Sequence, residues 1–181
     1  MSKTSLSSSS FIVLGFLERF GPSTSYDLKQ CADGSVGYFW SFSRSQLYKE
    51  PASLVALGLL SESKEKSGRK RRLYSITKAG RAALKNWLRE ETGAPTEIRD
   101  IGLLKLYFAQ AGTQDDLMRL IQDQIAAHRH RLAEYETIQE SLSENPDWAF
   151  HYAACRMGLL YEQMAVDFWK KLEKEPLPIS D

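Results

Sequence analysis

The stretch from Ser43 to Thr77 constrains the fold most, because its punctuation suits one order of elements: a helix, a turn and a hairpin. Ser43 can cap a helix carrying Gln46, Leu47, Tyr48, Lys49 and Leu54, and Gly58 supplies the turn. The runs Leu59 to Lys66 and Arg71 to Thr77 then alternate as paired strands around Ser67-Gly68, with Gly68 free to take positive φ. The hairpin tip carries Arg69, Lys70, Arg71 and Arg72 in succession. A helix that fits a groove, followed at once by a cationic hairpin, is the layout of a recognition helix and wing that read duplex nucleic acid.

Placing Leu47 inward and advancing about 100° per residue puts Pro51, Leu54 and Gly58 on its side. Ser45, Lys49, Ala52 and Ala56 then face away, with Gln46 and Tyr48 on the flanks. That outer face is small, polar and rich in donors, as base edges require, although by itself it could be an ordinary solvated face. Pro51 is the awkward residue, since it removes one helical hydrogen bond and collides with the Leu47 carbonyl, costing about 3 kcal/mol in a regular helix. Either the helix passes through Pro51 with a kink or it starts there and detaches Arg44 to Lys49; the kinked continuous helix is expected.

The formal net charge of the 181 residues is only +1, but it is unevenly spread. Residues 1 to 92 hold fifteen Lys/Arg against eight Asp/Glu, and residues 93 to 181 hold nine against fifteen. A basic half suits a polyanion, because neutralising phosphates releases condensed counterions. Chance clustering is the bland alternative. It is disfavoured because residues 61 to 80, at the expected wing, contain seven cations and two acids.

The expected organisation is a flexible Ser-rich arm over 1–10, a DNA-binding domain over 11–92, a linker over 93–98, a helical dimerisation domain over 99–175 and a tail over 176–181. Phe11 to Phe20 reads as a heavily buried first helix ended by Gly21-Pro22, and Ser23-Thr24-Ser25 as caps of a short second helix. Tyr38, Phe39, Trp40 and Phe42 form an aromatic connection whose rings are expected to roof the core. Thr77 should cap a fourth helix in which Trp87 packs between the two halves. After the linker, Arg99 to Ala111 reads as a helix apolar on most sides and therefore buried on several. Gln114 to Leu142 is a long helix with one charged face. Asp147 is placed to cap the last helix, which runs from Trp148 to about Lys174.

That last helix carries two apolar stripes, one through Trp148, Tyr152, Cys155, Leu159, Val166 and Trp169, interrupted by Glu162, and one through Met157, Leu160, Tyr161, Met164 and Phe168. One stripe can close on the preceding helix and the other needs a partner, which points to a dimer. The expected interface residues are Trp148, Tyr152, Cys155, Leu159, Tyr161, Met164 and Phe168.

Catalytic and metal signals are weak. His128 and His130 lie two apart on a helix and point to nearly opposite sides, His151 has no evident nucleophile, and no phosphate-cradling glycine loop or GxSxG occurs. Cys31 and Cys155 are distant from each other and read as reduced packing residues. No cofactor, metal or enzymatic activity is expected. No run approaches the ~20 apolar residues of a membrane span, and no secretion signal opens the chain, so a cytoplasmic protein is expected.

Ser25-Tyr26-Asp27-Leu28, Gln46-Leu47-Tyr48-Lys49-Glu50, Leu54 to Leu60 and Arg72-Leu73-Tyr74-Ser75-Ile76-Thr77-Lys78-Ala79-Gly80-Arg81 together resemble the PadR-type winged helix transcriptional regulators. The resemblance is in particular to the branch with a long helical C-terminal domain that includes a virulence-gene activator. It implies a mostly α fold with a small β-hairpin wing, an N-terminal winged helix-turn-helix and a C-terminal helical dimerisation domain. It also implies a homodimer on a palindromic operator, with Tyr48 matching the family's DNA-contacting tyrosine. Pro51 and Ser53 depart from the family pattern, and Ser53 replaces a common basic residue. The expected DNA-contacting set is Ser43, Arg44, Ser45, Gln46, Tyr48, Lys49, Lys66, Arg69, Lys70 and Arg71. Several members resemble sensors of flat or phenolic compounds, for which Trp87, Tyr107, Trp148 and Trp169 are the candidate pocket residues, with plain core packing as the alternative. A winged helix used only for protein contacts is the competing function.

Overall fold

The structure, a computed structural model, describes residues 6–41, 44–64, 71–93, 96–143, 146–175 and 177–179, the side chain of Arg44 excepted. The chain forms two compact units, Met1–Ala94 and Pro95–Asp181.

In the first unit, α1 spans Ser8–Phe20 and is capped by Ser7, whose hydroxyl accepts from the Ser10 amide while the Ser10 hydroxyl accepts from the Ser7 amide. The helix ends at Gly21, whose φ of 78° favours glycine, with Pro22 next. The expected arm is therefore corrected from Ser7 onward: two serine hydroxyls satisfy the helix's first amides, and Ser9 and Ser10 are buried. Residues 1–5 lie outside the described residues. The second helix, α2, spans Ser25–Asp33 behind a capping box of Thr24 and Asp27. A short 3-10 turn, Val36–Tyr38, follows, and Phe39 and Trp40 stay exposed, so the expected roof over the core is not what these two rings form.

Arg44–Ala56 is one helix, α3, running through Pro51. Leu47, Pro51 and Leu54 are fully buried, so the proline's ring adds apolar area to the core while its missing N–H leaves the helix one bond short. Gly58, at φ 70°, turns the chain into β1 (Leu60–Lys64), which pairs antiparallel with β2 (Arg72–Ile76) from Leu60↔Ile76 to Lys64↔Arg72. Leu59, Arg71 and Thr77, expected in the paired runs, flank the strands, and residues 65 and 66 of the first run lie outside the described residues. Ser23 joins β2 as a third-strand stub, exchanging backbone hydrogen bonds of 3.1 and 2.9 Å with Tyr74.

The next helix, α4 (Lys78–Trp87), starts at Thr77, whose hydroxyl accepts from the Gly80 amide and donates to the Gly58 and Leu59 carbonyls. Val13, Leu14, Leu17, Leu28, Ala32, Leu47, Leu54, Leu60, Tyr74 and Ile76 make the core of this unit.

In the second unit, Asp100 accepts from the Gly102 and Leu103 amides and starts α5 at Ile101; it ends at Tyr107, before a 3-10 turn at Ala109–Ala111. Two turns can lay only one stripe on a neighbour, here Leu106 beside the core of this unit, and Ile101, Leu104, Tyr107 and Phe108 are exposed. The expected longer helix, buried on several sides, is corrected accordingly.

The two long helices, α6 (Gln114–Ser143) and α7 (Ala149–Lys174), pack as an antiparallel hairpin. Leu117, Ile121 and Ile125 surround Trp169 near one end, and toward the other the Cys155 thiol lies 3.4 Å from the Tyr135 carbonyl. Asp147 sits within a 3-10 turn, Pro146–Trp148, and the N-cap position of α7 is Trp148, so the aspartate is not the expected cap. Among the described residues no helix is long and apolar enough to cross a membrane.

Candidate nucleic-acid interface

Burying Leu47 fixes the rotation of α3, and the residues that follow from that rotation emerge outward. Ser45, Gln46, Tyr48 and Lys49 are exposed, as are Ala52, Ser53 and Ala56 further along. The face offers amide, phenol and ammonium donors over a strip of small side chains that lets a helix backbone come close to a groove. Ser43, Lys66, Arg69 and Lys70, all expected at the interface, lie outside the described residues, and of Arg44 only its place at the first turn of α3 is described.

At the root of the wing Arg71 is exposed and Arg72 reaches Glu62 across the hairpin at 3.4 Å. Asp27 holds its carboxyl below the ordinary carboxylate range, first because the Thr24 amide donates to it and more weakly because the Arg71 guanidinium is near; burial opposes both. Arg71 thus shares its charge with the start of α2.

The residues expected at a dimer interface separate into three groups by burial, with Trp148 among the half-buried ones. Cys155 is buried against α6 within the chain and is corrected to a core residue; burial also pushes its thiol upward from the ordinary cysteine value. Tyr152, Leu159 and Tyr161 are half-buried. Met164 and Phe168 are exposed, together with Met157 and Leu160, at helical steps along one side of α7.

The four candidate pocket aromatics have separate surroundings. Trp87 stacks on Phe11 with centroids 4.6 Å apart, inside the N-terminal unit. Trp169 is 1% exposed and belongs to the core of the C-terminal unit. Tyr107 is 77% exposed beside the Phe108 ring, and Trp148 meets His151 edge-on at 4.8 Å.

Two polar contacts escaped the reading of the sequence. Ser10 Oγ donates to Glu50 Oε1 at 2.5 Å, tying the start of α1 to α3. His128 Nδ1 lies 2.6 Å from Glu162 Oε2, with the side chains 13% and 10% exposed, so the apparent break in the α7 stripe is a paired inward group. A polar residue at an inward position of each of two facing helices was the available signal. The spacing alone could not pair them. Among the described residues no three His, Cys, Asp or Glu side chains converge as a metal site.

Residues 13–86 match the Transcriptional regulator PadR-like family, and residues 98–175 match the Virulence activator alpha C-term family. The negative transcriptional regulator PadR of Bacillus subtilis is 26% identical over 172 residues, covering 90% of this chain and 93% of that protein. The crystal structure of Bacillus subtilis PadR in complex with operator DNA superposes with a TM-score of 0.82 at 25% identity, over 92% of this chain and 96% of the other. The same protein in complex with p-coumaric acid gives a TM-score of 0.76 at 25% identity, over the same shares of the two chains.

Proposed function

Because this chain belongs to the PadR-like family of transcriptional regulators, we propose that it reads a palindromic operator as a homodimer and is released by a small aromatic acid or phenol. The observation that carries the DNA contact is the outward strip Ser45, Gln46, Tyr48 and Lys49 on α3, followed in sequence by a hairpin bearing Arg69 to Arg72. The first four face base edges; the cations contact phosphates and set register.

A second copy covers the exposed Met157, Leu160, Met164 and Phe168 strip of α7, and Ile101, Leu104 and Phe108 extend the apolar surface such a copy needs. A two-fold then spaces the reading helices by about one DNA turn, ~34 Å, or a multiple of it. The effector class rests on the relative crystallised with p-coumaric acid.

The test is fluorescence anisotropy on a duplex recovered by genomic footprinting, titrated with salt. Arg69→Ala with Lys70→Ala should weaken binding alike on all sequences and reduce the log–log salt slope by about 2. Tyr48→Phe should weaken the footprinted duplex selectively. Phe168→Asp should give a monomer by sedimentation and a large loss of operator affinity, and p-coumaric acid should release the wild-type protein. A wild-type protein that binds no duplex better than a scrambled one refutes the function.

A further inference from the structure

We propose that Ser10 and Glu50 are positioning residues for DNA reading: their hydrogen bond sets the pose of the groove-facing half of α3, and so the discrimination between sequences. The inference rests on the DNA-reading function above.

Ser45, Gln46, Tyr48 and Lys49 all precede Pro51, which has no N–H to return to the Leu47 carbonyl. The helix therefore loses one rung between its reading half and the half packed in the core. Between Ser45 and Glu50 the side chains of Ser45, Gln46, Tyr48 and Lys49 are exposed, and the inward attachments are Leu47, fully buried, and Glu50, half-buried. An apolar contact at Leu47 resists withdrawal but has little directional preference; a hydrogen bond at Glu50, one turn on, resists rotation and tilt.

The Ser10 hydroxyl is itself held for this task. Its oxygen accepts from the Ser7 amide at 3.0 Å, and its proton goes to Glu50 Oε1 at 2.5 Å. With that proton committed, the 3.1 Å contact between the Ser7 and Ser10 hydroxyls has Ser7 as its donor. Ser10 is only 2% exposed, so water does not readily replace it. It also lies in the first turn of α1, where the helix dipole favours the Glu50 carboxylate.

The experiment compares binding of the footprinted duplex with a scrambled duplex of equal length, at one salt concentration, alongside urea unfolding. Ser10→Ala should lose about 10-fold on the footprinted duplex and little on the scrambled one, the size expected of one hydrogen bond to a charged group. Ser10→Thr should restore most of the loss. Glu50→Ala should match Ser10→Ala in the ratio of the two affinities, and the double variant should lose no more of that ratio than either, because both remove the Ser10–Glu50 contact; loss of the Ser7–Ser10 cap, in Ser10→Ala alone, should move only the unfolding midpoint. A change in unfolding midpoint with an unchanged ratio of the two affinities would mean that the contact only stabilises the fold, and overturns the proposal. Additive losses overturn it as well. Wild-type protein that prefers no duplex defeats the DNA-reading function and this inference with it, whereas a discriminating wild type beside an equally discriminating Ser10→Ala defeats the positioning role alone.

Discussion

Replacing Gly80 with alanine adds one methyl group and should destabilise the N-terminal unit by about 2–4 kcal/mol, even though alanine is the better helix former. A Cβ at this position would sit 2.2 Å from the Leu59 carbonyl oxygen, 2.9 Å from Ile76 Cγ1 and 3.2 Å from Leu14 Cδ2. The first separation falls 0.8 Å short of the 3.0 Å below which real Cβ atoms are essentially never found. The carbonyl cannot simply yield, because it accepts from both the amide and the hydroxyl of Thr77, at 3.1 and 3.0 Å. Relieving the clash means moving α4 off the entry to β1 and stretching those two bonds, each worth about 1 kcal/mol. Overpacking of a well-filled core typically adds about 1–3 kcal/mol, and the helix propensity gained returns only about 1 kcal/mol. Urea unfolding followed by far-UV circular dichroism should show a lower midpoint for the first transition, and operator affinity should fall with it because the wing is rooted at Leu59. Gly80→Ala protein as stable as the wild type would refute the reasoning, since the steric term would then have been absorbed without cost.

Two other glycines should behave differently for stated reasons. Gly102→Ala meets the tip of the Gln124 side chain at 2.2 Å, which can swing aside, so stability by thermal melting should stay unchanged or rise by up to about 1 kcal/mol. Gly158→Ala meets the buried Tyr135 ring at 2.3 Å and should loosen the α6–α7 hairpin by about 1–2 kcal/mol in the same assay. Glu162→Ala leaves the half-buried His128 ring without its carboxylate and should cost about 1–3 kcal/mol by urea unfolding, whereas Glu162→Leu with His128→Leu should cost less because neither partner is left alone. Asp27→Asn should cost about 1 kcal/mol at pH 7 as a weakened cap. Because the folded Asp27 carboxyl titrates below its ordinary value of 3.8, its contribution is complete above that value and vanishes as the pH drops through the folded pKa, so the two proteins should converge there in stability.

Much of the fold was legible because its signals are local. Thr77 and Thr24 announce helix starts within four residues of where they act, and the phase of Leu47 and Leu54 alone exposes Tyr48 and Lys49. Most of the features that escaped depend on partners distant in sequence, and the start of α1 is a local exception. Ser7 and Ser10 cap each other with two hydroxyls where a serine and a glutamate would have been recognisable, so a helix start read as a polar arm. Trp87 finds Phe11, and Glu162 finds His128, only once the helices are docked. The short α5 illustrates a different failure: its apolar composition was taken to mean burial, but two turns leave Tyr107 and Phe108 in solvent within one chain. The outer face of α3 could be drawn from periodicity, while residues 65–70, where the sequence places the hairpin tip, lie outside the described residues.

The pairing of Ser23 with Tyr74 has a consequence for how this unit assembles. A hairpin normally forms from neighbouring residues and can nucleate alone, but here the second strand is complete only when the turn between the first two helices has arrived beside it. The contact spans some fifty residues and so ties the hairpin to the start of the unit. The same stub occupies part of the margin to which a foreign strand would add, so a fragment beginning after the second helix should be both unstable and prone to self-association.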